Sequence, residues 1–459
     1  MILRWRRVLN ERTCDVAIIG AGTAGLKAYK AAVARGADVV IVERGPGGST
    51  CTRVGCMPSK LLIAAARVAY QARKAGEFGI VTGEVSVDAA KLWSRVRQQR
   101  DRFVDSILDD YHAIPTDRVV HGSARFTGPR TIAVGDDRIT ARRGIIIATG
   151  GHPIIAETLD PVRDLVHTHE TIFELADLPE TMAVLGAGAL GLELAQAFAR
   201  LGVAVTVIDE GEMIGGLKDP KTNAAAIAAI GEEFAFQLGV DASAALTDDG
   251  RARLSWSGGA VEVDLVLAAT GRPPSLDGLD LDTTGIALDD HGTPVFEKNT
   301  RRCGDSDIFI AGDANAWRPV LHEAARGGRI AGDVAMGGPS AKPLPAFAIA
   351  FTEPNLTEVG MSFDDLPEDV RIGEASVADN GRATADGEDQ GLVRLYADAD
   401  GKLLGASIVA PEGEHLGHLV ALAIERGMDA AAFADQAWYH PTLEELLQSA
   451  ARDLLGDDG

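Results

Sequence analysis

The chain has 459 residues, 46% of them hydrophobic, enough for several cores and roughly three domains. Its 44 Lys and Arg stand against 67 Asp and Glu, a net charge of −23, which argues against nucleic acid and anionic membrane surfaces as partners. No apolar stretch reaches the ~18–20 residues of a membrane span, so a cytoplasmic protein with no membrane partner is expected.

The N-terminus, MILRWRRVLNERT, is basic, but no apolar signal-peptide core follows it. It reads as a short tail or a misplaced start. Residues 14–43, CDVAIIGAGTAGLKAYKAAVARGADVVIVE, then give an apolar run, a glycine motif, an Ala-rich helical pattern, a second apolar run and an acid. The unit reads as β-α-β. Gly20, Gly22 and Gly25 permit a tight turn and close approach of backbone to a pyrophosphate, which the helix N-terminus then faces. Glu43, closing the second strand, is placed for ribose hydroxyls.

Next comes CTRVGCMPSK, residues 51–60, with two of the four cysteines. In a reducing compartment a close pair is catalytic, redox-sensing or metal-binding rather than a scaffold. Zinc wants four ligands. No further Cys or His sits near in sequence, and Cys14 and Cys303 are remote. No metal is therefore expected. Gly48, Gly55 and Pro58 mark a shaped backbone and disfavour two merely buried cysteines.

The apolar run GIIIATGGHP (144–153) reads as a strand leaving its sheet. Residues 182–209, MAVLGAGALGLELAQAFARLGVAVTVID, repeat the first unit, with Gly186, Gly188 and Gly191 leading to Asp209. The acid stands eighteen positions after the last glycine in both copies. One such motif is weak evidence, but the full context twice in the same register points to two nucleotide sites. LVLAATGRPPS (265–275) echoes the earlier Ala-Thr-Gly ending. RRCGDSDIFIAGDANA (301–316) is another strand, ending in Gly312 and Asp313. Taken alone, Asp313 reads as a turn residue or helix cap.

From about 346 the texture becomes α+β. AFAIAFTEPNLTEVGMS and GLVRLYADADGKLLGASIVAP read as strands, the second a hairpin turning at 398–401. Helical patterns follow at 414–427 and 442–455. Pro441 and Thr442 read as a helix start. His440, taken alone, serves equally as a solvent-facing helix residue or a base.

With these motifs the chain resembles the FAD-dependent pyridine nucleotide–disulfide oxidoreductases, in particular the dihydrolipoamide dehydrogenases, from Cys14 to about Leu455. The resemblance rests on the two glycine fingerprints, G-x-T-C-x-x-x-G-C-x-P-S-K, A-T-G twice, A-G-D, F-T-x-P near 351 and H-P-T-x-x-E near the end. It implies an α/β fold of two Rossmann-like dinucleotide-binding domains, for FAD and NAD, with a C-terminal α+β dimerisation domain. The implied division is 1–150 for FAD, 151–275 for NAD, 276–345 returning to the FAD and central region, and 346–459 for the interface.

The resemblance also implies roles. Gly20, Gly22, Gly25 and Glu43 hold the ADP half of FAD, and Asp313 its ribityl chain. Thr50, Thr149, Gly150, Gly271 and Gly312 line the cofactors. Gly186, Gly188, Gly191 and Asp209 bind the nicotinamide nucleotide. Cys51 and Cys56 form the redox disulfide, Lys60 pairs with Glu193 near the flavin ring, and His440 and Glu445 are the acid–base dyad. Lys60 and Glu193 otherwise read as two separate surface charges. The partners implied are a second copy, sharing active sites between chains, and dihydrolipoamide or a lipoyl-carrying protein. Departures from the family pattern are Ser49 in G-G-T-C, Thr-Arg between the cysteines, GAGTAG in the first fingerprint, and Trp438 and Tyr439 beside the dyad.

A disulfide between residues five apart meets a geometric obstacle. On a regular helix they are about 500° apart, so the backbone must be irregular, and Gly55 offers the place. Pro58 and Ser59 suit a first helical turn, which puts Cys56 by the positive end of a helix and near Lys60, both favouring thiolate. Cys51 suits exchange with substrate thiols, while His440 moves the proton and Glu445 fixes its tautomer. The reading is an NAD-linked oxidation of dihydrolipoyl groups. Its rivals are a glutathione-type reductase of the family and a non-catalytic redox sensor or lipoyl-protein-binding subunit.

Overall fold

The computed structural model describes residues 10–456, so most of the basic N-terminal tail lies outside the described residues. The chain forms two compact units.

The first unit comprises residues up to Leu61, Ser94–Ile154 and Gly271–Pro343. Its centre is strand Asn10–Ile19, parallel to Val39–Glu43 on one side and Asp137–Ile147 on the other. Val119–His121 extends the parallel edge, Ile308–Ile310 pairs with the end of Asp137–Ile147, and Thr131–Val134 and Ala124–Gly128 add an antiparallel corner. The runs Val39–Val42 and Ile145–Ile147 are apolar at every position because both faces of a parallel sheet are covered, and all are buried. Helices Thr23–Ala34 and Leu321–Ala335 pack closely against each other through small residues. A side chain at Gly328 or Gly332 would strike the backbone of Ala24 or Ala28.

The second unit comprises Leu62–Trp93, Ile155–Thr270 and the chain from Leu344 onward. A five-stranded parallel sheet runs in the order Ala235–Leu238, Ala204–Asp209, Thr181–Leu185, Leu265–Ala268 and Val166–His167. Helix Ala189–Arg200 follows its central strand. A three-stranded antiparallel meander, Ser243–Leu246, Ala252–Trp256 and Gly259–Val263, sits beside it. The C-terminal region is an antiparallel sheet ordered Phe347–Ala350, Asn355–Gly360, Leu403–Ala410, Leu392–Ala397 and Arg371–Ser376. Helices Gly413–Arg426 and Glu445–Leu455 cover it, with Leu416, Val420, Leu447 and Ala451 in its core. The hairpin turns at Asp398–Gly401 as the sequence predicts, with Gly401 at φ +87° donating to Asp398 O at 2.9 Å. The last helix begins at Glu445 rather than at Thr442, because the Glu445 carboxylate takes the Thr442 N–H at 3.0 Å and closes a turn ahead of the helix.

One buried polar pair in this sheet has a measurable consequence. Ser407 donates to Glu358 directly across from it. Burial pushes the Glu358 carboxyl up to about 7 against that hydrogen bond. A folded value above the unfolded one means that the folded chain holds the extra proton; this stability is complete below the ordinary 4.5 and is lost as pH rises through 7. Glu358→Gln is therefore expected to add about 2 kcal/mol at pH 8, after discounting for partial exposure, and little at pH 4.5. Urea midpoints at the two pH values check this; an equal gain at both contradicts it.

Candidate active site

The two glycine turns adopt one geometry. Gly20 and Gly186 have φ of +104° and +106°, and a side chain at either would strike the carbonyl of Ala148 or of Ala269, just ahead of each Thr-Gly. The third glycines, Gly25 and Gly191, press against the carbonyls of Gly20 and Gly186. The acids brace both turns. Glu43 accepts from Ala21 N at 2.6 Å and from Gly45 N at 2.6 Å. Asp209 accepts from Ala187 N at 2.5 Å and from Gly211 N at 2.7 Å. Each carboxylate oxygen keeps lone-pair capacity for a ribose hydroxyl. The mean of both signals was visible in sequence; the bracing bonds were not.

The cysteine stretch breaks its helix where the sequence predicts. Helix Thr50–Arg53 stops, and helix Cys56–Lys74 begins at the second cysteine. Gly55 suits the break between them: a side chain there would sit tightly against Cys51 Cα at 3.1 Å and Thr50 O at 3.2 Å. Ser49, a departure from the family pattern, caps the short helix by accepting from Cys51 N at 3.2 Å, and it also bonds Thr23 Oγ1 at 2.8 Å. Both cysteines are thiols in this structure. The Cys51 thiol is pushed up, first by its hydrogen bond to Cys56, then by burial and by charge on Cys56; the Lys60 ammonium opposes this. Lys60 stands one turn beyond Cys56. It belongs to the first unit and Glu193 to the second, and their pairing stands as a proposal. Glu193 is buried on helix Ala189–Arg200, and its Oε1 accepts from Phe351 N at 3.0 Å. It is not the surface charge that residue type alone suggests.

At the ends of the first unit's strands, Asp313 meets a residue the sequence reading passed over. Arg272 donates to Asp313 Oδ2 at 3.0 Å. The signal was present, since Arg272 directly follows the second Ala-Thr-Gly. Gly150, Gly271 and Gly312 all have positive φ. The Thr149 hydroxyl is buried with no hydrogen-bond partner among the described residues.

In the second unit, His440 Nδ1 lies 3.1 and 3.2 Å from the two Glu445 oxygens. The Glu445 carboxyl is held below its ordinary value, first by the Thr442 N–H and then by His440. An ionised carboxylate only accepts, so Nδ1 carries the proton of this hydrogen bond and Nε2 stands outside the pair. His440 and its neighbour Tyr439 are both 79% exposed, so the base faces outward. Trp438 is anchored instead, its Nε1 donating to Phe433 O at 3.2 Å.

Comparison with known proteins matches this arrangement. The pyridine nucleotide-disulphide oxidoreductase family matches residues 14–328, and its dimerisation domain matches residues 346–451. The chain belongs to the pyridine nucleotide-disulphide oxidoreductases.

The chain is 33% identical over 469 residues to a dihydrolipoyl dehydrogenase of Halobacterium salinarum, covering 96% of each. It is also 33% identical over 460 residues to a mercuric reductase of Acidithiobacillus ferrooxidans, covering 96% of this chain and 83% of that one. Among solved structures, LpdA of Mycobacterium tuberculosis shares the fold with TM-score 0.83 at 23% identity, over 96% of this chain and 99% of that one. The fold class is thus two dinucleotide-binding domains with a C-terminal dimerisation domain. The family is FAD-dependent and uses a pyridine nucleotide. The residues present fit such groups: two glycine cradles with no room for a Cβ, an acid at the end of each second strand, and the orphaned Thr149 hydroxyl. Among the described residues, no helix is long and apolar enough to cross a membrane.

Proposed function

We propose that this oxidoreductase is an NAD-linked dihydrolipoyl dehydrogenase. The observation that carries the proposal is the His440–Glu445 pair at 3.1 Å. Oxidising a dithiol requires a base for each thiol proton, whereas reducing a metal ion does not. Identity to a dihydrolipoyl dehydrogenase across 96% of both chains supports the same reading.

Gly20, Gly22, Gly25, Glu43, Thr149 and Asp313 would hold FAD, with Thr50, Gly150, Gly271 and Gly312 lining the cofactors. Gly186, Gly188, Gly191 and Asp209 would hold NAD. FAD, when bound, supplies the two-electron relay between thiols and nicotinamide. The chain's own residues handle the sulfur chemistry. His440 Nε2 takes the proton of a dihydrolipoyl thiol, and the thiolate attacks Cys51 Sγ of the Cys51–Cys56 disulfide. The Cys51–Cys56 bond breaks and Cys56 leaves as thiolate, eased by the helix end and Lys60. The second substrate thiol gives up its proton to the departing Cys51 sulfur and attacks the substrate sulfur of the mixed disulfide, whose bond to Cys51 breaks. The substrate leaves as a cyclic disulfide, and Cys51 regains a proton. Two electrons now reside on the cysteine pair.

Rates with dihydrolipoamide plus NAD⁺, with glutathione disulfide plus NADH or NADPH, and with mercuric ion plus either nucleotide test the reading. NADH release from dihydrolipoamide as the fastest reaction is expected. Faster turnover of either rival substrate overturns the assignment and names the other reductase.

Asp209 also predicts the nucleotide. Its carboxylate suits ribose hydroxyls and repels a 2′-phosphate, and no Lys or Arg follows it until Lys218. NAD is expected to exceed NADP in kcat/KM by about a hundredfold, a few kcal/mol of like-charge repulsion after screening. Equal values contradict the role of Asp209.

A further inference from the structure

Helix Ala189–Arg200 carries a stripe of polar residues, of which only Glu193 has been given a role. Glu193, Gln196 and Arg200 follow one another at three and four residues, which places them on one face, and all three are buried. Each acts on the segment leading into strand Asn355–Gly360. Glu193 accepts from Phe351 N. Gln196 Oε1 accepts from Glu353 N at 2.8 Å, and its amide donates to Glu353 O at 2.8 Å. Arg200 forks onto both oxygens of Glu233 at 2.7 and 2.8 Å and also donates to the Glu353 carboxylate. The Tyr70 ring centroid lies 3.9 Å from the same guanidinium, and Arg67 takes the other Glu353 oxygen.

Two cations and two carboxylates therefore close into one set. A guanidinium only 5% exposed is stable there while every partner remains. Its planar fork is what lets one side chain meet two carboxylates and an aromatic face together.

We propose that Arg200 is a positioning residue for Glu193. Arg200 and Gln196 hold Glu353, Glu353 sets the path of the preceding two residues, and the Phe351 N–H in turn orients the Glu193 carboxylate. The proposal rests on the role that the family resemblance implies for Glu193, pairing with Lys60 near the flavin ring, and its test separates the two.

The test uses FAD-loaded enzyme and two readouts: anaerobic flavin reduction by NADH, and amide hydrogen exchange of the peptide spanning 351–353. Arg200→Met is expected to slow flavin reduction about tenfold and to speed exchange across 351–353. Arg200→Lys is expected to lose only roughly threefold, since an ammonium restores charge without the fork. In a Glu193→Gln background, Arg200→Met is expected to cost less than about twofold, because the residue it positions is already disabled. Equal losses in both backgrounds, or unchanged exchange at 351–353, overturn the proposal. If Glu193→Gln alone leaves flavin reduction unchanged, the assigned role of Glu193 fails, and the positioning proposal falls with it. Should Arg200→Met not fold, Glu353→Gln, which keeps the shape and removes the charge, runs the same cycle with the same deciding outcomes.

Discussion

An equal mixture of Cys51→Ser and His440→Gln chains, each inactive alone, is expected to recover roughly a quarter of native turnover once dimers re-form. The cysteines belong to the first unit and the dyad to the second, and His440 and Glu445 lie within the matched dimerisation domain. In a two-fold dimer whose sites draw on both chains, a mixed pair holds one site with both defects and one with neither. Random pairing makes about half the dimers mixed, and one intact site of two gives the quarter. His440 already faces outward from its own unit at 79% exposure, as a residue serving another surface should. No recovery, with mixed dimers demonstrated, would assign His440 to its own chain or to no site.

His440→Gln alone is expected to lower kcat with dihydrolipoamide by about 10³, and Glu445→Gln by about tenfold. The inequality follows from the geometry: one residue moves the proton, whereas the other holds Nδ1. Glu445 is a carboxylate with a depressed value. Its bond to His440 is present above the ordinary 4.5 and is lost only as pH falls through the lower folded value. Glu445 therefore orients the ring throughout the neutral range. Steady-state kinetics between pH 6 and 9 should show Glu445→Gln lowering kcat by a similar factor at each pH. A loss confined to one end of the range would contradict a purely orienting role for Glu445.

Much of this was legible in the sequence because the chemistry is written in backbone-shaping residues. Two glycine turns, each followed eighteen positions later by an acid, carry their conformation wherever they occur, since only glycine fits at Gly20 and Gly186. The hairpin at Gly401 was readable because its backbone is left-handed, and the helix break at Gly55 because glycine is a weak helix former. What escaped were contacts between residues far apart in the chain. Nothing local to Arg272 announces Asp313, and nothing local to Gln196 announces Glu353. The three-stranded meander at Ser243–Val263 also escaped, because its edge strands are largely exposed and its alternation is weak. The extra turn before the last helix depends on one side-chain bond, from Thr442 N to Glu445, which no periodicity encodes.

The redox pairing of Cys51 with Cys56 is open to direct chemical mapping. Air-oxidised FAD-loaded enzyme is alkylated, then treated anaerobically with dihydrolipoamide and alkylated with a second, heavier reagent before mass spectrometry. Cys51 and Cys56 are expected to resist the first reagent and to take the second, two labels per chain. Cys14 and Cys303, buried and pushed up to about 12, should take neither while the chain stays folded. First-reagent label on Cys51 or Cys56 in the oxidised enzyme, or a pair that dihydrolipoamide fails to open, would contradict a dithiol dehydrogenase built on these two residues.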